Sequence, residues 1–198
     1  MNIDVVILAA GQGSRMRSNK PKVLHAIGGK PMVQHVIDAA KALGDVNVHI
    51  VVGHGADQVQ ANLGADNRYS DCHYIEQVEQ LGTAHAVLQV LPALTQGSKT
   101  LILYGDVPLI KTETLRAMLE AVNENSMAVL TASLNDATGY GRIVRNDNDE
   151  VLSIVEHKDA RPDQLAINEI NTGIMCIPQS CLAKWLPSIG NDNAQKEY

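Results

Sequence analysis

Hydrophobic positions along the first 125 residues fall into two alternating rhythms. Val5–Ala10 is a short unbroken apolar run, the pattern of a strand buried on both faces of a parallel sheet. A glycine-containing loop follows, and then "GGKPMVQHVIDAAKALG", where Val33, Val36, Ile37, Ala40 and Leu43 recur at helical spacing. Pro31 sits near the start of that predicted helix and Gly44 marks its stop. The alternation continues with "VHIVVG" as a strand, "DQVQANL" as a short helix, "CHYIEQ" as a strand and "TAHAVLQVLPAL" as a helix. "TLILYGD" is the next predicted strand, and "TETLRAMLEAV" the next helix, with Leu115, Met118, Leu119 and Val122 on one face.

From Met127 the texture changes. "MAVLTASL", "GRIVR" and "VLSIVEH" read as strands, the last two joined by the polar tip "NDNDE", and "GIMCIP" follows. Repeated β-α alternation predicts an open, mostly parallel sheet of Rossmann-like α/β type with helices on both faces. The second half predicts a small antiparallel subregion lying over one end of that sheet. No repeat, low-complexity tract or linker interrupts the chain, so one domain with two lobes is expected over its 198 residues.

Composition narrows what such a domain does. Phe is absent and aromatics make up 3% of residues, so the core must be aliphatic. A net charge of −6 argues against a nucleic-acid or anionic-membrane surface and leaves room for one local phosphate site. Cys72, Cys176 and Cys181 match neither a CxxC pair nor a zinc spacing; they are expected to be reduced, buried small hydrophobes of a cytoplasmic protein. No apolar run reaches the roughly 18 residues of a membrane span, and Asp4 stands where a signal peptide carries positive charge.

In open α/β sheets ligands bind beyond the carboxyl ends of the strands, which selects Gly11–Arg15 and Gly105–Asp106. The first loop is not a dinucleotide fingerprint, because Met16 stands where GxGxxG needs its third glycine. Nor is it a P-loop, since Met16-Arg17 replaces the Gly-Lys of GxxxxGK. Its glycines still permit close backbone approach to an anion, Arg15 offers bidentate donors, and Lys22 adds a point charge after Pro21 turns the chain. A plain glycine turn with solvated basic residues is the other reading.

Asp106, between an apolar strand and Val107-Pro108, is either a magnesium ligand or a turn cap. Gln77, Gln80, Gly82 and Thr83 bunch before a helix, where amides and free N–H groups read a pyrimidine, or where Thr83 near the N-cap merely starts the helix. "TGYGR", "EHKDA" and "EINTG" offer Gly141, Glu156 and Asn171 for hydroxyl and amide recognition on a sugar, or for turns. The seven histidines show no HExxH spacing, and "NDNDE" lacks the glycine and final glutamate of a calcium loop.

Taken together, "VVILAAGQGSRM", "KPKVLHAIGGKPMVQHVIDAA", "EQLGTAHAV", "LYGDVPL", "DATGYGRIV", "IVEHKDA", "EINTGI" and "NDNAQKEY" resemble the N-terminal uridyltransferase region of the bacterial GlmU family. The opening motif alone points only to the wider sugar-nucleotide pyrophosphorylases. The resemblance implies a nucleotide-diphospho-sugar transferase fold and a Mg²⁺-assisted in-line attack of N-acetylglucosamine 1-phosphate on the α-phosphorus of UTP. UDP-N-acetylglucosamine and pyrophosphate are the implied products, feeding peptidoglycan and lipopolysaccharide precursors. Carried over by position, Leu8, Ala9, Ala10, Gly11 and Gly13 line the nucleotide, and Arg15 and Lys22 neutralise phosphates. Gln77, Gln80, Gly82 and Thr83 hold uracil, Tyr104 and Gly105 touch sugar and ribose, and Asp106 binds magnesium. Gly141, Glu156, Asn171 and Thr172 receive the N-acetylglucosamine moiety.

The family continues the same domain beyond the position matched by Tyr198 and adds there an asparagine as second metal ligand. A left-handed β-helix then carries acetyl transfer and builds trimers. The implied domain over residues 1–198 is therefore incomplete at its C-terminal side, with acetyl transfer and trimer formation outside it. A thymidylyl- or cytidylyltransferase and a non-catalytic UDP-sugar-binding fragment are the alternatives; a dehydrogenase is disfavoured by Met16 and by "HIVVG", which lacks a terminal acidic residue for ribose.

Overall fold

The computed structural model describes residues 2–11, 13, 16–191 and 198. Its centre is β1 (Ile3–Leu8), whose alternating side chains face two different cores. β4 (Asn47–Val52), β5 (His73–Glu76) and β6 (Lys99–Tyr104) join it in parallel, in the order β5-β4-β1-β6. Between β1 and β4 lie a short ribbon, β2 (Ala26–Ile27) with β3 (Lys30–Pro31), and helix α1 (Met32–Lys41). Helices α2 (Ala56–Gly64) and α3 (Thr83–Val90) make the next two crossovers, and α4 (Thr112–Ala121) follows β6.

Val5 and Ile7 of β1 pack with Val33, Val36 and Ile37 of α1, Val59 and Leu63 of α2, and Leu115 and Met118 of α4. Val6 faces the opposite way, onto Ala86, Val87 and Val90 of α3 and Leu182 of the later helix Gln179–Trp185. Two-faced burial is what turned these strands into continuous apolar runs instead of alternating ones. The core is aliphatic as composition required, and all three cysteines are free and buried. Burial pushes the thiol of Cys72 up to about 11 and that of Cys176 up to about 12, so both behave as small hydrophobes. Among the described residues no helix is long and apolar enough to cross a membrane.

The antiparallel strands continue the main sheet and do not lie over its end. β10 (Glu169–Pro178) pairs antiparallel with β6 through Met175–Pro178, and near its start Ile170 pairs with Arg142 of β8 (Arg142–Arg145). β9 (Val151–Val155) closes that edge, and β7 (Ala128–Ser133) pairs with β10 across an irregularity between Asn171 and Met175. β10 thus starts four residues before the predicted "GIMCIP", because "EIN" is too polar to read as strand.

One polar group ties the far end of the sheet together. Asp4 is fully buried and accepts from His49 Nε2 at 3.0 Å, Thr95 N at 2.9 Å and Asn47 Nδ2 at 3.2 Å. Burial alone would raise its pKa, but the surrounding Ser98, His49, Thr95 and Asn47 outweigh that and hold it below the ordinary 3.8. A depressed folded-state pKa means the stabilisation is complete above about 3.8 and is lost as pH falls through the lower folded value. Asp4→Asn is therefore expected to cost about 2–3 kcal/mol at pH 7 and to flatten the loss of stability below pH 4, measured by denaturant unfolding across pH. An unchanged acid limb in the variant would contradict this account of Asp4.

Candidate active site

The ends of β1 and β6 stand side by side, because the parallel register sets Leu8 opposite Tyr104. Ala9 N donates to Val51 O at 2.9 Å and Gly105 N to Leu8 O at 3.0 Å, so the ladders persist just past the strands. Ala9–Gly11 and Gly13 after β1 and Asp106 after β6 open into one cavity of about 650 Å³, the size of a nucleotide site.

Leu8, Ala9, Ala10, Gly11 and Gly13 form one wall of it. Gly13 has φ +59°, and a Cβ there would stand 2.8 Å from Lys22 Cβ, so the loop passes Lys22 only because position 13 has no side chain. Lys22 itself is aimed by a short 3₁₀ turn, Lys22–Leu24, whose Val23 and Leu24 are buried after Pro21 has bent the chain. Its ammonium pairs with the carboxylate of Asp106, 84 positions away. Both side chains stay partly exposed to the cavity, which therefore presents one cation and one carboxylate side by side.

The opposite wall is the turn from β5 into α3, with Gln77, Gln80, Gly82 and Thr83 all on the cavity. Gly82 is the cap residue of α3 and Thr83, next to it, starts the helix; among the described residues no side chain caps it. The N–H of Ala84 donates instead to Tyr198 O at 3.1 Å, and Tyr198 N donates to Leu81 O at 2.7 Å. Gln77 is buried and its Nε2 donates to Gly82 O at 3.2 Å, which closes the turn from within.

Tyr104 lines the same cavity and joins it to the predicted sugar residues. Burial raises its phenol above the ordinary 10, reinforced by the charges of Asp106 and Glu156 and opposed by the Thr83 hydroxyl. Gly173 presses on the Tyr104 ring: its φ is +78° and a Cβ there would lie 2.6 Å from Tyr104 Oη. Behind it, Asn171 N donates to Gly141 O at 2.8 Å, and a Cβ on Gly141 would come within 2.9 Å of Glu156 Oε1. Gly141, Glu156 and Asn171 are thus brought together next to Tyr104, outside the cavity's own lining. The Thr172 hydroxyl is already engaged, donating to Leu130 O at 2.6 Å and accepting from Ile174 N at 3.2 Å, so it holds the bend of β10. Gly105 is buried between Leu8 O and Val23, where it spaces the strand ends.

Arg15 lies outside the described residues, as do residues 192–197 of "NDNAQKEY". Among the described residues, three that line the cavity are not singled out as site residues from the sequence: Met16, Val23 and Ala86. Val23 and Ala86 are apolar and carry no motif, but Met16 is the residue that broke both glycine patterns. Among the described residues no group of three or more His, Cys, Asp or Glu could hold a metal by protein ligands alone. A single carboxylate on a nucleotide-sized cavity instead suits Mg²⁺, which takes its remaining ligands from phosphate and water.

Comparison with known proteins adds family to geometry. Residues 5–188 match the family model described as MobA-like NTP transferase domain. The chain is 55% identical over 196 residues, 99% of its length, to the bifunctional protein GlmU of Saccharophagus degradans, of which it covers 42%. It is likewise 55% identical over its whole length to the bifunctional protein GlmU of Pseudomonas syringae pv. syringae, again covering 42%. The chain therefore spans less than half the length of these curated relatives. A UDP-glucose pyrophosphorylase solved with UDP-glucose superposes with TM-score 0.76 over 100% of this chain and 83% of that one, at 17% identity, a likeness of fold alone.

The contact at Gly173 is open to direct test. Gly173→Ala is expected to lower stability by about 1–3 kcal/mol, through strain at positive φ and displacement of Tyr104, with a matching fall in thermal midpoint. A midpoint equal to that of the unsubstituted protein would show that Tyr104 is not held this way.

Proposed function

The chain belongs to the GlmU family within the MobA-like NTP transferases, and from that premise we propose that its cavity transfers UMP from UTP to N-acetylglucosamine 1-phosphate. The observation that carries the reading is the pairing of two walls across one cavity: Lys22 with Asp106 on one side, the amide-rich turn Gln77–Thr83 on the other. A triphosphate needs the first and a pyrimidine the second.

In this reading Leu8–Gly11 and Gly13 approach the nucleotide closely, Lys22 neutralises phosphate oxygens, and Gln77, Gln80, Gly82 and Thr83 hold the base, while Arg15 takes its share of the phosphate charge by resemblance alone. Gly141, Glu156 and Asn171 receive the sugar beside Tyr104, with Thr172 and Gly105 shaping the backbone around it. The attacking phosphate monoester is already an anion, so no residue has to remove a proton. Catalysis then rests on alignment and charge neutralisation. Asp106 would hold Mg²⁺, which supplies further charge neutralisation on the polyphosphate. UDP-N-acetylglucosamine and pyrophosphate leave as products, in a cytoplasmic setting with which three free cysteines accord.

Given UTP, N-acetylglucosamine 1-phosphate and Mg²⁺, the protein is expected to release pyrophosphate. Asp106→Ala should lower kcat by at least about 100-fold while leaving the thermal midpoint within a few degrees. Full turnover in that variant would refute the role of Asp106, and absence of pyrophosphate both from this chain and from a longer one carrying the second metal ligand would refute the transfer reaction.

A further inference from the structure

The base-facing wall contains an amide whose direction matters. Gln77 Nε2 donates to the carbonyl of Gly82 at 3.2 Å and lies 3.1 Å from Nδ1 of His85. A carbonyl oxygen only accepts, so the Gly82 contact decides which end of the amide is nitrogen. That same nitrogen faces Nδ1, which must then be the accepting nitrogen of a neutral ring with its proton on Nε2. Both amide hydrogens of Gln77 are thereby committed. The polar atom that this cavity-lining residue has left to offer is Oε1.

On the other side of the ring, His85 Nε2 lies 3.1 Å from Nε2 of Gln89, which also reaches the His85 carbonyl at 3.3 Å. A neutral imidazole has one accepting nitrogen, so two amide nitrogens cannot both donate to it. Gln77 is 4% exposed and its carbonyl contact is the shorter, whereas Gln89 is only partly buried and can give up its longer contact with the His85 carbonyl to solvent. Gln89 is therefore the one that turns, presenting its oxygen to the Nε2 proton. His85 does not line the nucleotide cavity; it borders a separate apolar groove with Leu81, Leu88, Leu186 and Ile189.

We propose that His85 is a positioning residue that locks the Gln77 amide with its oxygen toward the cavity and so makes the site select uracil over cytosine. The proposal rests on the uridylyl reading above. Uracil carries an N–H at ring position N3 that donates to such an oxygen, whereas cytosine carries a bare accepting nitrogen there that opposes it. A free amide could rotate to suit either base; one held by Gly82 and His85 cannot without breaking two hydrogen bonds.

The test is calorimetric binding of UTP and of CTP, read as the ratio of their Kd values, which does not depend on turnover. The unsubstituted protein should favour UTP by roughly 10- to 100-fold, and His85→Ala should lower that preference about tenfold. His85→Asn, whose side-chain oxygen can accept where Nδ1 does, should keep most of it. Preference retained in His85→Ala, or lost equally in both variants, would overturn the proposal by reducing the ring to packing. No preference in the unsubstituted protein, or an unchanged ratio in Gln77→Ala, would instead overturn it by removing its premise, the uracil seat at Gln77.

Discussion

The parallel pairing of β1 with β6, in the register that sets Leu8 opposite Tyr104, is the constraint on which the site depends. Both strands run the same way and end at the same height, so the glycine loop after one and Asp106 after the other must open side by side. Lys22 then needs only the turn at Pro21 to reach across to that carboxylate. A shift of this register by one residue would turn Val5, Val6 and Ile7 to the opposite cores and separate the two loops together. Core packing and site geometry are therefore specified by the same hydrogen-bond ladder.

The second consequence of that ladder lies at its other edge. Because β10 pairs antiparallel with β6, its chain runs back past the end where Tyr104 stands, and the irregularity between Asn171 and Met175 turns Gly173 onto the Tyr104 ring. Tyr104 thus separates a cavity built from parallel strand ends and a group, Gly141, Glu156 and Asn171, built from antiparallel ones. The proposed two-substrate transfer would use this division by holding one substrate on each side of Tyr104.

How much of this was legible depends on how local the signal is. The runs "VVILAA", "HIVV" and "LILY" and the helical spacing of Val33, Val36 and Ile37 are local, and each became the element they predicted. The glycine loop, Lys22, Asp106 and Gln77 could be singled out from neighbouring residues, and the fold gathers them around one cavity. The pairing of Lys22 with Asp106 across 84 positions has no local signature. Neither does the place of β10 in the main sheet, since antiparallel strands joined by long connections read alike whether they cover a sheet or extend it. His85 has no local signature either, because its partners, Gln77 and Gln89, become meaningful only when the turn brings their amides to the two sides of one ring.

A crystal structure with bound UDP-N-acetylglucosamine would show directly where the nucleotide sits. The proposed arrangement requires uracil against Gln77 and Gly82, phosphates over Gly11 and Gly13 toward Lys22, and the sugar between Tyr104 and the group of Gly141, Glu156 and Asn171. A nucleotide found elsewhere, such as in the groove at Leu81 and Leu88, or one bound with its sugar away from Tyr104, would contradict it.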